Sequence, residues 1–342
     1  MRVLIYGQSW REGMPASLAA AFRDLRHEVE LFDFTAFLYR TRVGGRWAHA
    51  LDLVLPAEVA YRINRSLRRC IESYRFELII FCSDTHIWPE TLSSAVSRCS
   101  NVVSWKFDEP FNIKYATRTT LELFQRYHII FTPREYLIED YRARGAQCVC
   151  HLPFCFDPGV HYPVCPSPGE ANTWGADVAF VGTWSRRREQ LVSSLPQTDV
   201  RVWGYSWGHA TRDTKSVPGL KLMKRTAAGR EMSVVLNVSR ISLNFLTPEQ
   251  QDRINVRNYE IPACGGFQLC ERTEELQSLF REGKEVACFG SIDELRDKVA
   301  YYLRHAWERE AIARAAYERL PNLRSTYIDR ARQIIAYTTQ AR

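Results

Sequence analysis

The sequence predicts an α/β protein of two doubly wound, Rossmann-like domains that face each other across a cleft and end in C-terminal helices. Short β-branched runs alternate with longer segments of helical period from Val3 onward. The alternation lapses between Leu152 and Asp177 and then resumes. A length of 342 residues also suits two domains better than one.

In the first half, strands are expected at Val3 to Tyr6, Glu28 to Phe32, Leu78 to Cys82, Val102 to Trp105, Ile129 to Thr132 and Gln147 to His151, each a compact apolar run. Helical period separates them at Pro15 to Leu25, Pro56 to Tyr74, Pro89 to Arg98, Lys114 to Arg126 and Tyr136 to Arg144, the last stopped by Gly145. Residues 1–152 form the first predicted domain. The stretch 153–176 carries Pro153, Pro158, Pro163, Pro166 and Pro168 and reads as a linker without helix or central strand.

Beyond it, strands are expected at Val178 to Val181, Val200 to Trp203, Ile241 to Phe245, Phe267 to Leu269 and Glu285 to Phe289. Helices fall at Arg187 to Leu195, Gly229 to Val238, Asn255 to Ala263, Glu274 to Phe280 and Ile292 to Arg304. Residues 177–323 make the second domain, and 324–342 a final helix that could pack back on the first.

Composition excludes several classes. With 46% hydrophobic and 25% charged residues and no low-complexity tract, the chain is neither disordered nor fibrous. The net charge of +7 suits an anionic ligand but is too small for a duplex binder, so no nucleic-acid partner is expected. No leader precedes Val3, no run reaches membrane-spanning length, and the ten Cys form no C-x-x-C, which together predict reduced thiols and a cytoplasmic protein. Cys148, Cys150, His151 and Cys155 only superficially suggest zinc, because alternation on a strand points His151 away from the two thiols.

In open parallel sheets, ligands bind beyond the carboxyl ends of the strands. The glycine turns there are Gly7-Gln8-Ser9 after the first strand and Gly182-Thr183 after the first strand of the second domain. Neither opens a G-x-G-x-x-G run and no Walker A sequence is present, which disfavours dehydrogenases and P-loop enzymes. The densest signal is Arg253 to Glu271. There a short helix starts near Asn255 and Val256, carries Glu260 one turn on, and ends at Cys264-Gly265-Gly266. Its N-terminus would favour a phosphate, and the carboxylate could accept both hydroxyls of a ribose.

The run Arg257-Asn258-Tyr259-Glu260-Ile261-Pro262-Ala263-Cys264-Gly265-Gly266-Phe267, with Glu274-Glu275-Leu276, Gly283-Lys284-Glu285-Val286 and Tyr301-Tyr302-Leu303 after it, resembles the C-terminal domain of CgeB-type (spore maturation protein) glycosyltransferases, members of the GT-B superfamily. Val181-Gly182-Thr183-Trp184, Trp203-Gly204-Tyr205 with Trp207, Trp105 to Pro110, and Leu152-Pro153-Phe154 fit the same family. The resemblance implies a GT-B fold, a nucleotide-diphosphate-sugar donor held by the second domain, an acceptor bound by the first, and transfer of the sugar to a hydroxyl. Glu260 matches the second glutamate of the E-x7-E motif of retaining enzymes, and Gly265 and Gly266 follow it as in their A-x-G turn. The first glutamate is replaced by Asp252, so this chain reads D-x7-E and stereochemistry stays open.

No D-x-D pair is present to hold a divalent metal, so arginines and helix N-termini are expected to neutralise the leaving diphosphate and no cofactor is expected. Arg186, Arg187, Arg188 and Arg257 are the candidates, with Asn255 and Asn258 beside them and Trp10, Trp184 and Trp207 as stacking surfaces. For the base that takes the acceptor proton, the candidates are Asp84, His86, Asp108 and Glu109. The alternatives are a nucleotide-sugar epimerase or hydrolase on the same scaffold, and a non-catalytic sugar-nucleotide or glycan-binding protein.

Overall fold

The computed structural model describes residues 1–9, 13–38, 55–111, 118–248 and 252–340. Trp10 and the start of the helix expected from Lys114 lie outside them. The chain divides into two compact units, Met1–Phe154 with Tyr327–Arg342, and Cys155–Thr326.

In the first unit the strands are β1 (Arg2–Gly7), β2 (Glu28–Asp33), β3 (Leu78–Phe81), β4 (Val102–Trp105), β5 (Ile129–Thr132) and β6 (Val149–His151). They pair in parallel in the order β2-β1-β3-β4-β5-β6. Val3, Leu4, Ile5 and Tyr6 are buried without alternation, as a strand covered on both faces requires. Helices α1 (Met14–Asp24), α2 (Pro56–Ser73), α3 (Pro89–Arg98), α4 (Arg118–Leu123) and α5 (Ile138–Ala143) connect them. In α2, Val59, Ile63, Leu67 and Ile71 recur every four residues and are all buried, so one stripe faces the sheet while the arginines face water.

The second unit contains α6 (Pro168–Trp174), β7 (Val178–Val181), α7 (Arg186–Ser193), β8 (Val200–Trp203), α8 (Arg212–Lys215), β9 (Leu220–Leu222), α9 (Arg230–Val238) and β10 (Ile241–Asn244). It continues through α10 (Arg257–Ala263), β11 (Gln268–Glu271), α11 (Glu274–Leu279), β12 (Ala287–Phe289), α12 (Ile292–Arg304) and α13 (Ala306–Leu323). Its parallel sheet runs β12-β11-β10-β7-β8-β9. Strand order reverses between β7 and β10, where a doubly wound sheet opens its ligand crevice.

Three elements depart from the sequence reading, one of them the single turn α8, capped by Thr211 Oγ1 on the Thr214 N–H. The proline-rich stretch holds a helix, α6, because Pro168 stands in its first turn, where no N–H is needed, and Ser167 and Glu170 form a reciprocal capping box. The edge strand β9 was too short to register as a period, yet it pairs with β8 immediately after Gly219. The last helix, α14 (Tyr327–Gln340), packs against α1 in the first unit. Arg330 holds it there, donating from Nε to Pro153 O at 2.8 Å and from Nη2 to Phe154 O at 3.0 Å.

Candidate functional site

In the second unit, side chains gather at the carboxyl ends of β7, β8 and β10. The Gly182 N–H donates to Trp203 O at 2.9 Å, and the backbones of Gly182 and Gly204 run so close that a Cβ on Gly204 would lie 1.9 Å from Gly182 O. Only glycine fits at 204, which also has φ +149°. Trp207, expected to stack on the donor, is 3% exposed, donates its indole N–H to Gly182 O at 2.8 Å and lines the cavity beyond β8. It shapes the turn from beneath. Trp184 is half-buried and donates to Glu189 at 2.8 Å. Burial raises the pKa of Glu189, but hydrogen bonds from Thr214, Thr211 and Trp184 outweigh it and hold the carboxyl at about 2, so this buried acid stays ionised as a structural anchor.

Thr183 and Arg186 are exposed at the start of α7. Arg188 spans the strand reversal: Nη1 donates to Thr183 O at 2.9 Å, and Nη2 to Phe245 O at 3.1 Å and Thr247 Oγ1 at 2.9 Å. Arg187 is paired with Glu271, which also accepts from the Leu246 N–H at 2.7 Å. Glu271 therefore ties β11 to the loop after β10, and Arg187 ties the start of α7 to β11.

Arg257 donates from Nε to Val181 O at 3.2 Å and from Nη1 to Glu260. Glu260, at 13% side-chain exposure, is not turned into bulk solvent, and its other oxygen faces His161 Nε2 at 3.5 Å. The helix N-terminus expected to hold phosphate is already satisfied. Asn255 Oδ1 accepts the Arg257 N–H at 3.0 Å, and Asn258 Oδ1 accepts the Asn255 N–H at 2.8 Å. Asn255 and Asn244 also exchange amide hydrogen bonds at 3.0 Å. Asn258 is 1% exposed, so Asn255 and Asn258 brace the turn rather than offer donors to a ligand. Gly265 takes φ +73° against Pro163, and Gly266 approaches Leu236 O so closely that a Cβ there would lie 2.3 Å away. Both serve the exit from α10. Asp252 lies in the loop before α10, its N–H donating to Thr247 O at 3.3 Å.

A cavity of about 990 Å³ opens beyond β8 and β9, lined among others by Tyr205, Ser206, Lys215, Lys224 and Arg225. The sequence reading missed Lys215, Lys224 and Arg225; for Lys224 and Arg225 a basic pair just after the unrecognised strand β9 was the available signal, whereas Lys215 ends the unrecognised turn α8.

In the first unit, Ser9 donates to Asp33 at the end of β2. Burial raises the Asp33 pKa, but hydrogen bonds from Ser9 and Thr35 bring it below the ordinary value. A Cβ on Gly7 would meet the Pro15 ring at 2.5 Å, so this turn is closed by α1. Asp84 does not stand ready as a base: its side chain is 7% exposed, one oxygen is paired with Lys106 and the other accepts Tyr127 Oη at 2.6 Å. Burial pulls Lys106 below the ordinary lysine value against the pull of Asp84, and raises Tyr127. Glu109 is 1% exposed and accepts the Phe111 N–H at 2.7 Å, again an interior role. Asp108 is exposed, and His86 is half-buried at φ +65°, its carbonyl accepting Asn64 Nδ2 at 2.6 Å.

Among the described residues no three His, Cys, Asp or Glu are arranged to hold a metal ion, and no helix is long and apolar enough to cross a membrane. Cys148 and Cys150 bring their sulfurs to 3.8 Å, and all ten cysteines are free.

Residues 186–336 match the family model described as glycosyl transferase-like. No curated protein matches the chain in sequence. Among solved structures, the chain is similar to Anabaena HepE in complex with UDP-glucose (TM-score 0.67, 12% identity, 99% of this chain and 100% of that one). It is also similar to sucrose-phosphate synthase of Thermosynechococcus elongatus (TM-score 0.68, 11% identity, 99% and 98%) and to the trehalose-6-phosphate synthase OtsA (0.67, 11%, 99% and 99%). Two parallel six-stranded sheets, matched along nearly the whole chain to these structures, give the protein the GT-B fold, with residues 186–336 similar to the glycosyl transferase-like family.

Proposed function

We propose that the chain is a glycosyltransferase of CgeB type that moves a sugar from a nucleoside-diphosphate sugar to a hydroxyl acceptor without a metal ion. The observation that carries this reading is the convergence of Arg188 and Arg257 on the carbonyls that end β7 and β10, with Glu260 beside them, at the strand reversal of a GT-B sheet. In the reaction the bond from the anomeric carbon to the diphosphate oxygen breaks, a bond from that carbon to the acceptor oxygen forms, and the acceptor proton passes to a base. Arg188, Arg257 and exposed Arg186 neutralise the charge that grows on the leaving diphosphate, each charge-assisted contact contributing roughly 1.5–3 kcal/mol. Glu260 accepts the ribose hydroxyls. The cavity beyond β8 and β9 is large enough for the nucleoside, with Tyr205 at its wall. Asp108 and His86 are the candidates for the base in the first unit, since Asp84 and Glu109 are engaged inside it. A cytoplasmic address fits ten free thiols.

A thermal-shift panel of uridine, guanosine, cytidine, adenosine and thymidine diphosphates tests the donor site, because a ligand that binds only the folded state raises its stability. At least one raises the melting temperature of the wild type, and Glu260→Ala reduces the shift without loss of fold. No shift with any nucleotide refutes the reading.

A further inference from the structure

His161 stands outside the residues assigned to the donor site, yet it is 5% exposed and its Nε2 lies 3.5 Å from Glu260 Oε1. The loop that carries it is built rigidly. The Asp157 N–H donates to His161 Nδ1 at 3.2 Å, the His161 N–H returns to Asp157 O at 2.7 Å, and Asp157 Oδ1 accepts the Gly159 N–H at 2.8 Å. Downstream the same loop is fastened to α9 and to the end of α10: Ser233 Oγ donates to Val160 O at 2.7 Å, and Pro163 packs against Gly265. Because Nδ1 accepts a hydrogen bond, the proton of a neutral imidazole sits on Nε2, the nitrogen aimed at the carboxylate.

We propose that His161 is a positioning residue for Glu260: with Arg257 on the opposite oxygen, the buried ring and its Nε2–H, 3.5 Å away and beyond hydrogen-bond length, restrict the plane of the carboxylate so that its lone pairs meet both hydroxyls of a ribose. The inference rests on reading Glu260 as the ribose ligand and extends it to a side chain outside the α10 motif. Arg257 alone leaves the carboxylate free to rotate about its bond to that guanidinium, whereas Arg257 on one oxygen and the buried ring beside the other leave one orientation. The chemistry selected is a cis-diol, and a 2′-deoxyribose loses half of it.

Protonation acts on the same loop. The charged groups that face His161 are Glu260 and Arg257 on α10 and Asp157 on its own loop. Burial lowers the pKa of His161 from 6.5, Glu260 working against it, so the ring is neutral near neutral pH. A second proton on Nδ1 would face the Asp157 N–H, donor against donor, and break the loop bond that aims the ring.

The test is isothermal titration of the full chain with UDP and 2′-deoxy-UDP, and with the guanosine and adenosine pairs, from pH 5 to pH 8. Wild type is expected to prefer the ribonucleotide by on the order of tenfold, and to lose that preference where the His161 ring, followed by its NMR shifts, takes its second proton. His161→Phe abolishes the preference, His161→Gln, which returns an N–H near the Nε2 position, restores most of it, and His161→Phe with Glu260→Ala discriminates no less than Glu260→Ala alone. If His161→Phe does not fold, the His161→Gln and wild-type pH profiles decide. A preference unchanged in His161→Phe, or unchanged in wild type while the His161 ring protonates, overturns the role of His161 while leaving the donor reading intact. A preference unchanged in Glu260→Ala, or no binding by any nucleotide, overturns the donor reading itself.

Discussion

The two sheets end in polar clusters of opposite character. In the first unit, Asp84, Lys106 and Tyr127 satisfy one another: an anion, its counter-ion and a hydroxyl, sealed from water. In the second, Arg188 directs its N–H groups at carbonyl and hydroxyl oxygens at the strand reversal, Arg257 divides its own between Val181 O and Glu260, and Thr183 and Arg186 remain exposed beside them. A closed ion pair holds a fold together but offers little to a ligand, while the carbonyls on the Arg188 guanidinium bring no charge to cancel its own. The comparison explains why a carboxylate at a strand end is a poor sign of catalysis until its partners are known.

The largest effect that would sharpen this contrast is on stability. Lys106→Met leaves Asp84 buried without its cation and is expected to cost about 3–5 kcal/mol in urea unfolding, most of it recovered when Asp84→Asn is added. A loss below about 1 kcal/mol would break the comparison, since the pair would then behave as a surface one. Next is Arg257→Ala, which removes a contact of roughly 1.5–3 kcal/mol and so weakens UDP binding on the order of 10- to 100-fold by titration calorimetry, with Arg257→Lys recovering part.

Smaller is the pH term of His161. Its folded pKa lies below the unfolded 6.5, so its contribution to stability is fully present above 6.5 and is lost as pH falls toward the folded value. The slope reaches at most about 1.4 kcal/mol per pH unit and is absent from His161→Gln, as denaturant melts across that window will read. Smallest is Ser9→Ala, which removes one of the hydrogen bonds that hold Asp33 below its ordinary value. The Asp33 carboxyl then titrates higher by NMR, and the unit loses about 1 kcal/mol or less at neutral pH.

Much of the fold was legible because apolar runs such as Val178–Val181 are buried on both faces and need no partner to be recognised. Glu260 with Arg257 was legible as well, since spacing three apart on one helix brings them together whatever the surroundings. His161 was not: it sits in a proline-punctuated loop, and only the packing of that loop on α9 and Gly265 brings it to Glu260. Nor were the interior roles of Asp84 and Asn258, which depend on what a neighbouring strand or turn presents. Composition cannot tell a carboxylate with a buried lysine beside it from one that faces water.

The placement of α14 carries a consequence for biosynthesis. The helix completes the first unit, yet every residue of Cys155–Thr326 emerges from the ribosome before it. At roughly 5–20 residues per second, the amino-terminal half must wait on the order of 10 s or more with α1 uncovered, while the inserted half can mature first. Nascent chains truncated just before Tyr327 should therefore be far more vulnerable to protease in residues 1–154 than in the part made later.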